Sequence, residues 1–239
     1  MNTAVILTAI FIGALIQGVS GFGFALVSLG ILGFFSDIAT ASIIITLSGF
    51  PLTFSIFLRT RAHFVLKPIL PCIAGIVAGT PIGVFLLLNA DKRTVTVILG
   101  MFMICAGIYS CIPRIGNKPW HPVYLGIPCG LAAGILGGAF STGGPPLVAF
   151  AASRDYSKFR YTSVLQACFF TYGILRLPLL VSSGLITGRI LLAGLAGSAL
   201  TVTGGLIGLR ILADIPEKTF KKIVMVFIIL LGCKYLLFG

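Results

Sequence analysis

Apolar residues fall into eight long blocks separated by short polar loops. A straight helix needs about 20 residues to cross roughly 30 Å of hydrocarbon, and most of the blocks have about that length. The pattern therefore predicts an all-α polytopic membrane protein. The blocks cover residues 3–35, 39–58, 67–89, 94–113, 120–152, 160–183, 188–210 and 218–238.

The first and fifth blocks are too long for one straight crossing, because a helix of about 33 residues extends roughly 50 Å. Glycine-rich sequence interrupts both blocks, at residues 18–23 and 137–146. Irregular backbone is tolerated at membrane depth only where protein or a watery cavity satisfies its polar groups. Both interruptions are therefore candidate binding sites.

The two halves of the chain repeat each other. An offset of 121 residues superposes Gly13 on Gly134 and Gly23 on Gly144. An offset of 125 superposes further pairs, Gly79 with Gly204, Gly83 with Gly208 and Thr94 with Thr219. Similarity at a fixed offset indicates a duplication. We predict a first transmembrane repeat at 1–113, a linker at 114–119 and a second transmembrane repeat at 120–239.

Charged residues favour an inverted relation between the repeats. Eight straight crossings would divide the basic residues seven to nine, whereas hairpins that enter and leave on one side divide them twelve to four. The positive-inside bias prefers the hairpins and places both termini outside. Each repeat then has one broken or re-entrant hairpin plus three transmembrane helices. Two full crossings per long block have the same parity, so both readings of the hairpin stay open.

The second interruption has the residue order of a helix start. Ser141, Thr142, Gly143 and Gly144 precede Pro145 and an apolar stretch. Free N–H groups and the positive dipole end of such a helix bind small anions. We therefore predict substrate contacts at these five residues, with close helix packing by small residues as the alternative.

The first interruption contributes a second set of candidate contacts. Gly21, Phe22 and Gly23 lead into an apolar helix, and glycine lets backbone approach a ligand closely. Gln17 and Ser20 add neutral donors. Two half-helix starts that meet between inverted repeats would surround one small anion.

Arg176 is the only basic residue well inside a predicted span. A cation at that depth is expensive and usually functional, which favours an anion contact. The alternative is that the side chain snorkels to the interface, about seven residues away along the helix. Tyr172 lies one turn earlier on the same face, and Gln166 is a further polar candidate, with a helix-packing hydrogen bond as its alternative.

Composition argues against other classes of function. The net charge of +12 is scattered over short loops and forms no basic face for nucleic acid. Nucleophile-elbow, zinc-protease and P-loop motifs are missing, and the six cysteines form no metal-binding pattern. We therefore predict no enzyme activity, no metal and no cofactor. With no acid inside a predicted span, coupling through the substrate's own proton, a sodium ion or the gradient of the anion stays open.

Residues 17–26 and 137–148 resemble the paired signatures of the TauE/SafE family of sulfite and organosulfonate exporters. The resemblance implies a multi-pass transporter of the bacterial cytoplasmic membrane that exports sulfite, a small organosulfonate or a related organic acid. Its partners would be the anion, the lipid bilayer and a coupling H⁺ or Na⁺. A channel-like uniporter, a membrane enzyme and a non-transporting membrane protein are the alternatives, and a homodimer stays open.

Overall fold

Helices form the described part of the chain. The structure, a computed structural model, describes residues 3–91, 122–152, 154 and 156–212, and single positions at 93, 94, 97, 101 and 233. Within these ranges there are eight α-helices and no strands: α1 Thr3–Ser20, α2 Phe24–Leu32, α3 Ile38–Thr60, α4 Leu70–Asn89, α5 Pro122–Phe140, α6 Gly144–Ala152, α7 Lys158–Ser182 and α8 Gly188–Ile211. The predicted linker and, apart from single positions, the blocks at 94–113 and 218–238 lie outside the described residues.

Four of the described helices are long and apolar enough to cross a membrane, by length and composition: α3, α4, α7 and α8. The helices α1 and α5 are apolar but shorter. The nine residues of α2 and of α6 extend only about 14 Å each, less than half of the hydrocarbon thickness. The predicted all-α polytopic membrane fold is confirmed.

Polar caps mark the beginning of three of the four long helices, α3, α7 and α8. The side chain of Asp37 accepts a hydrogen bond from the Thr40 N–H at 2.8 Å before α3. Ser157 and Thr187 cap α7 and α8 in the same way. Because an N-cap oxygen satisfies an amide that lacks an intrahelical acceptor, each loop ends at one of these residues.

Each long block folds back on itself as a helical hairpin. The hydroxyl of Ser28 in α2 donates to the Ala9 carbonyl of α1 at 3.1 Å, so α2 returns along α1. In the second half, Phe150 of α6 packs against Gly126 near the beginning of α5. The predicted hairpins are confirmed, and the short returning arms α2 and α6 fit the re-entrant reading.

The helices α4 and α5 pack in parallel through a face of small residues. Gly75 faces the Ile127 carbonyl, and Gly83, two turns later, faces the Ile135 carbonyl. A side chain at Gly79 between them would lie 2.4 Å from the Leu131 carbonyl oxygen. These glycines therefore let two backbones approach closely, as the spacing predicts.

Both α1 and α3 run parallel to α8. The contacts follow the same order along the helices: Phe11 with Gly204, Leu15 with Gly208, Ser48 with Thr201 and Leu52 with Gly205. In the second half, α5 packs against α4 in the same way as α1 packs against α8. Each hairpin thus packs against the fourth helix of the other half.

Each of the four described helices of the first half runs opposite to its described counterpart in the second. Arg176 links Ala139, near the end of α5, to Ser42, near the beginning of α3. The beginning of α5 lies beside the beginning of α4, and α4 begins shortly after α3 ends. The beginning of α5 and the end of α3 therefore lie at the same end of the bundle, so α5 and α3 are antiparallel. His63 at the end of α3 stacks on Phe159 at the beginning of α7, so this pair is antiparallel too. The repeats are inverted, as the charge count predicts.

Basic residues collect at one end of the bundle. Among the described lysines and arginines, Arg93 and Arg189 lie at the end where α4 finishes and α8 begins, and Arg176 lies inside. The other seven lie at the end where α3, α6 and α8 finish: Arg59, Arg61, Lys67, Arg154, Lys158, Arg160 and Arg210. This distribution follows the predicted topology.

Candidate functional site

The two helix interruptions begin with the same backbone geometry. We call residues 21–23 break 1 and residues 141–143 break 2. The Gly21 N–H donates to the Gln17 carbonyl at 2.8 Å, and the Ser141 N–H donates to the Gly137 carbonyl at 2.9 Å. Gly21 has a φ of 79° and Ser141 a φ of 62°. Ser141 therefore corresponds to Gly21, at an offset of 120. This offset is one residue less than the offset of 121 that superposes the glycines. In break 2, a serine occupies a left-handed position that favours glycine.

A chain of buried amides holds break 1. Gln166 Nε2 donates to the Gly21 carbonyl at 2.9 Å, and Gln17 Nε2 donates to Gln166 Oε1 at 3.0 Å. Because a carbonyl can only accept, Gln166 must direct its nitrogen to Gly21 and its oxygen to Gln17. Gln17 therefore presents its nitrogen, and one N–H remains for a further acceptor.

Ser20 and Phe22 stabilise the breaks without lining a pocket. The Ser20 hydroxyl lies 2.8 Å from the Ile16 carbonyl and 2.5 Å from the Phe22 carbonyl, so its proton is used in hydrogen bonding to the local backbone. The Phe22 ring is buried and lies against Gly144, across the boundary between the halves. Both residues thus support the turn and the packing of the two breaks.

Arg176 holds break 2 from inside the protein. Its side chain is fully buried. Nε donates to the Gly138 carbonyl at 2.7 Å and Nη2 to the Ala139 carbonyl at 3.1 Å, both in the last turn of α5. Nη2 also donates to Ser42 Oγ at 2.9 Å. The remaining contacts are from Nη1 to the Ser42 carbonyl at 3.3 Å, to Ser141 Oγ at 2.9 Å and to Thr46 Oγ1.

These contacts define the electrostatic role of Arg176. The last carbonyls of a helix lack intrahelical donors and carry the negative end of its dipole, so a guanidinium there satisfies both. No carboxylate is among the partners of Arg176 in the described chain. The side chain does not extend to the membrane surface, which argues against the snorkelling alternative.

A small pocket lies between the two breaks. Its polar wall comes from Gln17, Thr46, Thr53, Ser141, Thr142 and Tyr172. Its apolar wall includes Leu26, Ile45, Phe50 and Phe169. The cavity volume is about 40 Å³, enough for about three waters at roughly 10 to 15 Å³ each in that measure. A small anion fits this volume.

The pocket offers hydrogen-bond donors and no carboxylate. Thr142 is 1% exposed, and its hydroxyl has no hydrogen-bond partner among the described residues. Phe24, Ala25 and Leu26 line the pocket in the first turn of α2, where N–H groups lack intrahelical acceptors. The start of α6 offers fewer donors, because Pro145 and Pro146 have no N–H.

The predicted site residues divide into three groups. Those that line the pocket are Gln17, Gly23, Ser141, Thr142, Gly144 and Tyr172. Gln166 and Arg176 contact pocket residues without lining the pocket, since they bond to Gln17 and to Ser141. The remaining candidates lie in the breaks or beside them and are not among the lining residues: Ser20, Gly21, Phe22, Gly143 and Pro145.

Sequence reasoning missed the contribution of α3. Thr46 and Thr53 line the pocket, and Ser42 and Thr46 bind Arg176. Ser42, Thr46, Gly49 and Thr53 follow one another at intervals of four, three and four residues in an apolar segment. That spacing places them on one helix face, and a polar stripe of this kind was the available signal.

Comparison with known families agrees with the resemblance. The family model described as sulfite exporter TauE/SafE matches residues 5–235, almost the whole chain. No curated protein and no solved structure gives a significant match. The full-length match, with the paired breaks and the membrane-spanning helices, shows that the chain belongs to the TauE/SafE family of sulfite exporters.

Proposed function

We propose that this protein is a secondary transporter that exports a small anion across the bacterial cytoplasmic membrane, and that the anion binds between breaks 1 and 2. Sulfite, a small organosulfonate or a related small organic acid is the substrate class. The observation that carries the proposal is the buried hydroxyl of Thr142, which has no hydrogen-bond partner in the described part of the chain and lies in a pocket lined by further donors.

The chemistry of the pocket supports an anion over a cation or a neutral ligand. A buried donor without an acceptor is unfavourable by about 1–3 kcal/mol, and an anionic oxygen relieves that penalty. The free N–H of Gln17 and the first turn of α2 supply further donors. The charge of Arg176 lies behind Ser141 and Thr46 and attracts an anion without direct contact.

Ligand-dependent stability tests the proposal on purified protein. A ligand that binds only the folded state raises the melting temperature by mass action. We expect stabilisation by at least one of sulfite, thiosulfate, sulfoacetate, phosphate and small carboxylates. If none of these anions stabilises the protein, the proposal is wrong.

A matched pair of variants places the site. Thr142→Val removes the unpaired hydroxyl and keeps the shape, so we expect about tenfold weaker binding, the equivalent of one hydrogen bond to a charged group. Thr60→Val is the control, because that buried hydroxyl bonds only the Ile56 and Phe57 carbonyls of its own helix. Equal affinity in the two variants would contradict a site at break 2.

Flux measurements in proteoliposomes separate a transporter from a channel-like uniporter. A carrier that alternates between two states exchanges labelled anion faster when unlabelled anion is present on the opposite side. We expect this trans-stimulation for the best-binding anion. Flux that is unaffected by the opposite compartment would favour the uniporter.

A further inference from the structure

Among the residues that the structure describes, one fully charged side chain lies beside the pocket between the breaks. This side chain is Arg176 of α7, which donates hydrogen bonds to Ser141 and Thr46 in the pocket wall. The described α-helices contain no aspartate, glutamate or histidine. The described titratable side chain that interacts with Arg176 is Tyr172 of α7, and a phenol is neutral in its ordinary state. The described side chains therefore give the pocket a single positive charge.

Helix dipoles leave that charge nearly unchanged. Each break joins the C-terminus of one helix to the N-terminus of the next, α1 to α2 and α5 to α6. A helix carries roughly +0.5 charge at its N-terminus and −0.5 at its C-terminus, so the two ends at each break oppose each other. The pocket keeps a net charge of about +1, which comes from Arg176.

Electrostatics then discriminates between anions by charge. Ser141 and Thr46 lie between the guanidinium and the pocket, so a bound anion interacts with Arg176 across these two side chains and without direct contact. Doubling the anion's charge doubles its attraction to Arg176, but it raises the desolvation penalty about fourfold. The attraction of one cation therefore offsets the desolvation penalty of a monovalent anion, but it does not offset the larger penalty of a divalent anion.

We infer that the pocket binds its substrate as a monovalent anion, so that a titrating anion such as sulfite is carried in its singly protonated form. The inference rests on the proposed function and names the charge state of its substrate. One proton then moves with each anion: SO₃²⁻ takes up H⁺ to give HSO₃⁻ on one side, and HSO₃⁻ releases it on the other. No titrating carboxylate of the protein is needed for this coupling.

Three probes of different charge test the inference by thermal shift and by isothermal titration between about pH 6 and about pH 8. Methanesulfonate stays monovalent throughout, sulfate stays divalent, and sulfite changes between the two forms. We expect methanesulfonate to bind with unchanged affinity and sulfate to bind at least about tenfold more weakly. Sulfite affinity should fall by up to about tenfold per pH unit as the monovalent form disappears.

The outcomes separate the two proposals. Sulfate affinity equal to that of methanesulfonate, or sulfite affinity that is constant or rises with pH, overturns the monovalent inference and leaves anion transport standing. Absence of binding by all three probes at every pH contradicts the proposed site, and the inference with it.

A variant with a second cation tests the charge argument in the opposite direction. Thr53→Lys adds a positive charge to the pocket wall, where the native side chain is 7% exposed. We expect the ratio of sulfate to methanesulfonate affinity to rise at least about tenfold. An unchanged ratio in a variant that keeps its thermal unfolding transition overturns the inference. If this variant does not fold, the three-probe comparison on the native protein still decides.

Discussion

Arg176 Nη1 donates to Ser141 Oγ at 2.9 Å, which joins the buried cation of α7 to the left-handed residue of break 2. The same guanidinium reaches Ser42 and Thr46 of α3, so one side chain fixes two helices from different halves. In the described part of the chain, break 1 has no such cation and depends on the amides of Gln17 and Gln166. The two breaks of this inverted pair are therefore alike in the conformation of their first residue and different in electrostatics.

Removing the guanidinium should weaken the fold around break 2. Arg176→Met leaves the Gly138 and Ala139 carbonyl oxygens without their donor, and each buried orphan is unfavourable by about 1–3 kcal/mol. We expect a large drop in melting temperature in detergent. Arg189→Gln, at an exposed position at the start of α8, should change stability by less than about 0.5 kcal/mol.

Charge and hydrogen bonding at Arg176 can be separated by a second pair of variants. Arg176→Lys keeps the charge with fewer donors, and Arg176→Gln keeps some donors without the charge. If the charge attracts the substrate, the lysine variant should retain more anion affinity than the glutamine variant at matched folded fraction. The opposite order in titration calorimetry would contradict this role.

The amide chain at break 1 predicts energetic coupling between Gln17 and Gln166. Each single change to leucine breaks their hydrogen bond and leaves a buried polar group unpaired. A double-mutant cycle on urea or thermal unfolding should therefore give a coupling energy of about 0.5–3 kcal/mol. Additive effects would mean that the two amides do not interact.

Close packing of α4 on α5 predicts intolerance of any side chain at Gly79. The new methyl group of Gly79→Ala would lie 2.4 Å from the Leu131 carbonyl oxygen, so the helices must separate. We expect a loss of about 1–3 kcal/mol in the free energy of unfolding. Gly188→Ala is the control, because nothing lies within 4 Å of a side chain there. Similar melting temperatures of the two variants would contradict close helix contact.

The inverted hairpin topology predicts an external C-terminus. Alkaline phosphatase fused at Gly239 should be active and green fluorescent protein fused there should be dark in a bacterial host, because each reports one side of the membrane. Fusions that end at Lys158, among the seven clustered basic residues, should give the reverse result. A fluorescent C-terminal fusion would contradict the predicted number of crossings.

Much of the architecture followed from the sequence because its determinants are local or additive. Apolar length is read along the chain, glycine-rich interruptions mark where a helix ends, and basic residues sum over loops to give a topology. The hairpins at residues 3–35 and 120–152 and the inversion of the repeats were both expected on these grounds. The offset of 121 predicted for the breaks was wrong by one residue. It was chosen by matching glycines, whereas in the structure Ser141, and not a glycine, adopts the conformation of Gly21.

By itself, the sequence determined that this is an inverted, duplicated membrane protein whose glycine breaks are its unusual features. Only the tertiary structure decided which side chains meet there. Gln17 and Gln166 are 149 positions apart, and Arg176 is 134 positions from Ser42. Such contacts depend on how α3 and α7 pack against the hairpins of the opposite half. No local pattern encodes that packing, so it alone placed the arginine behind the pocket and the hydroxyl of Thr142 within it.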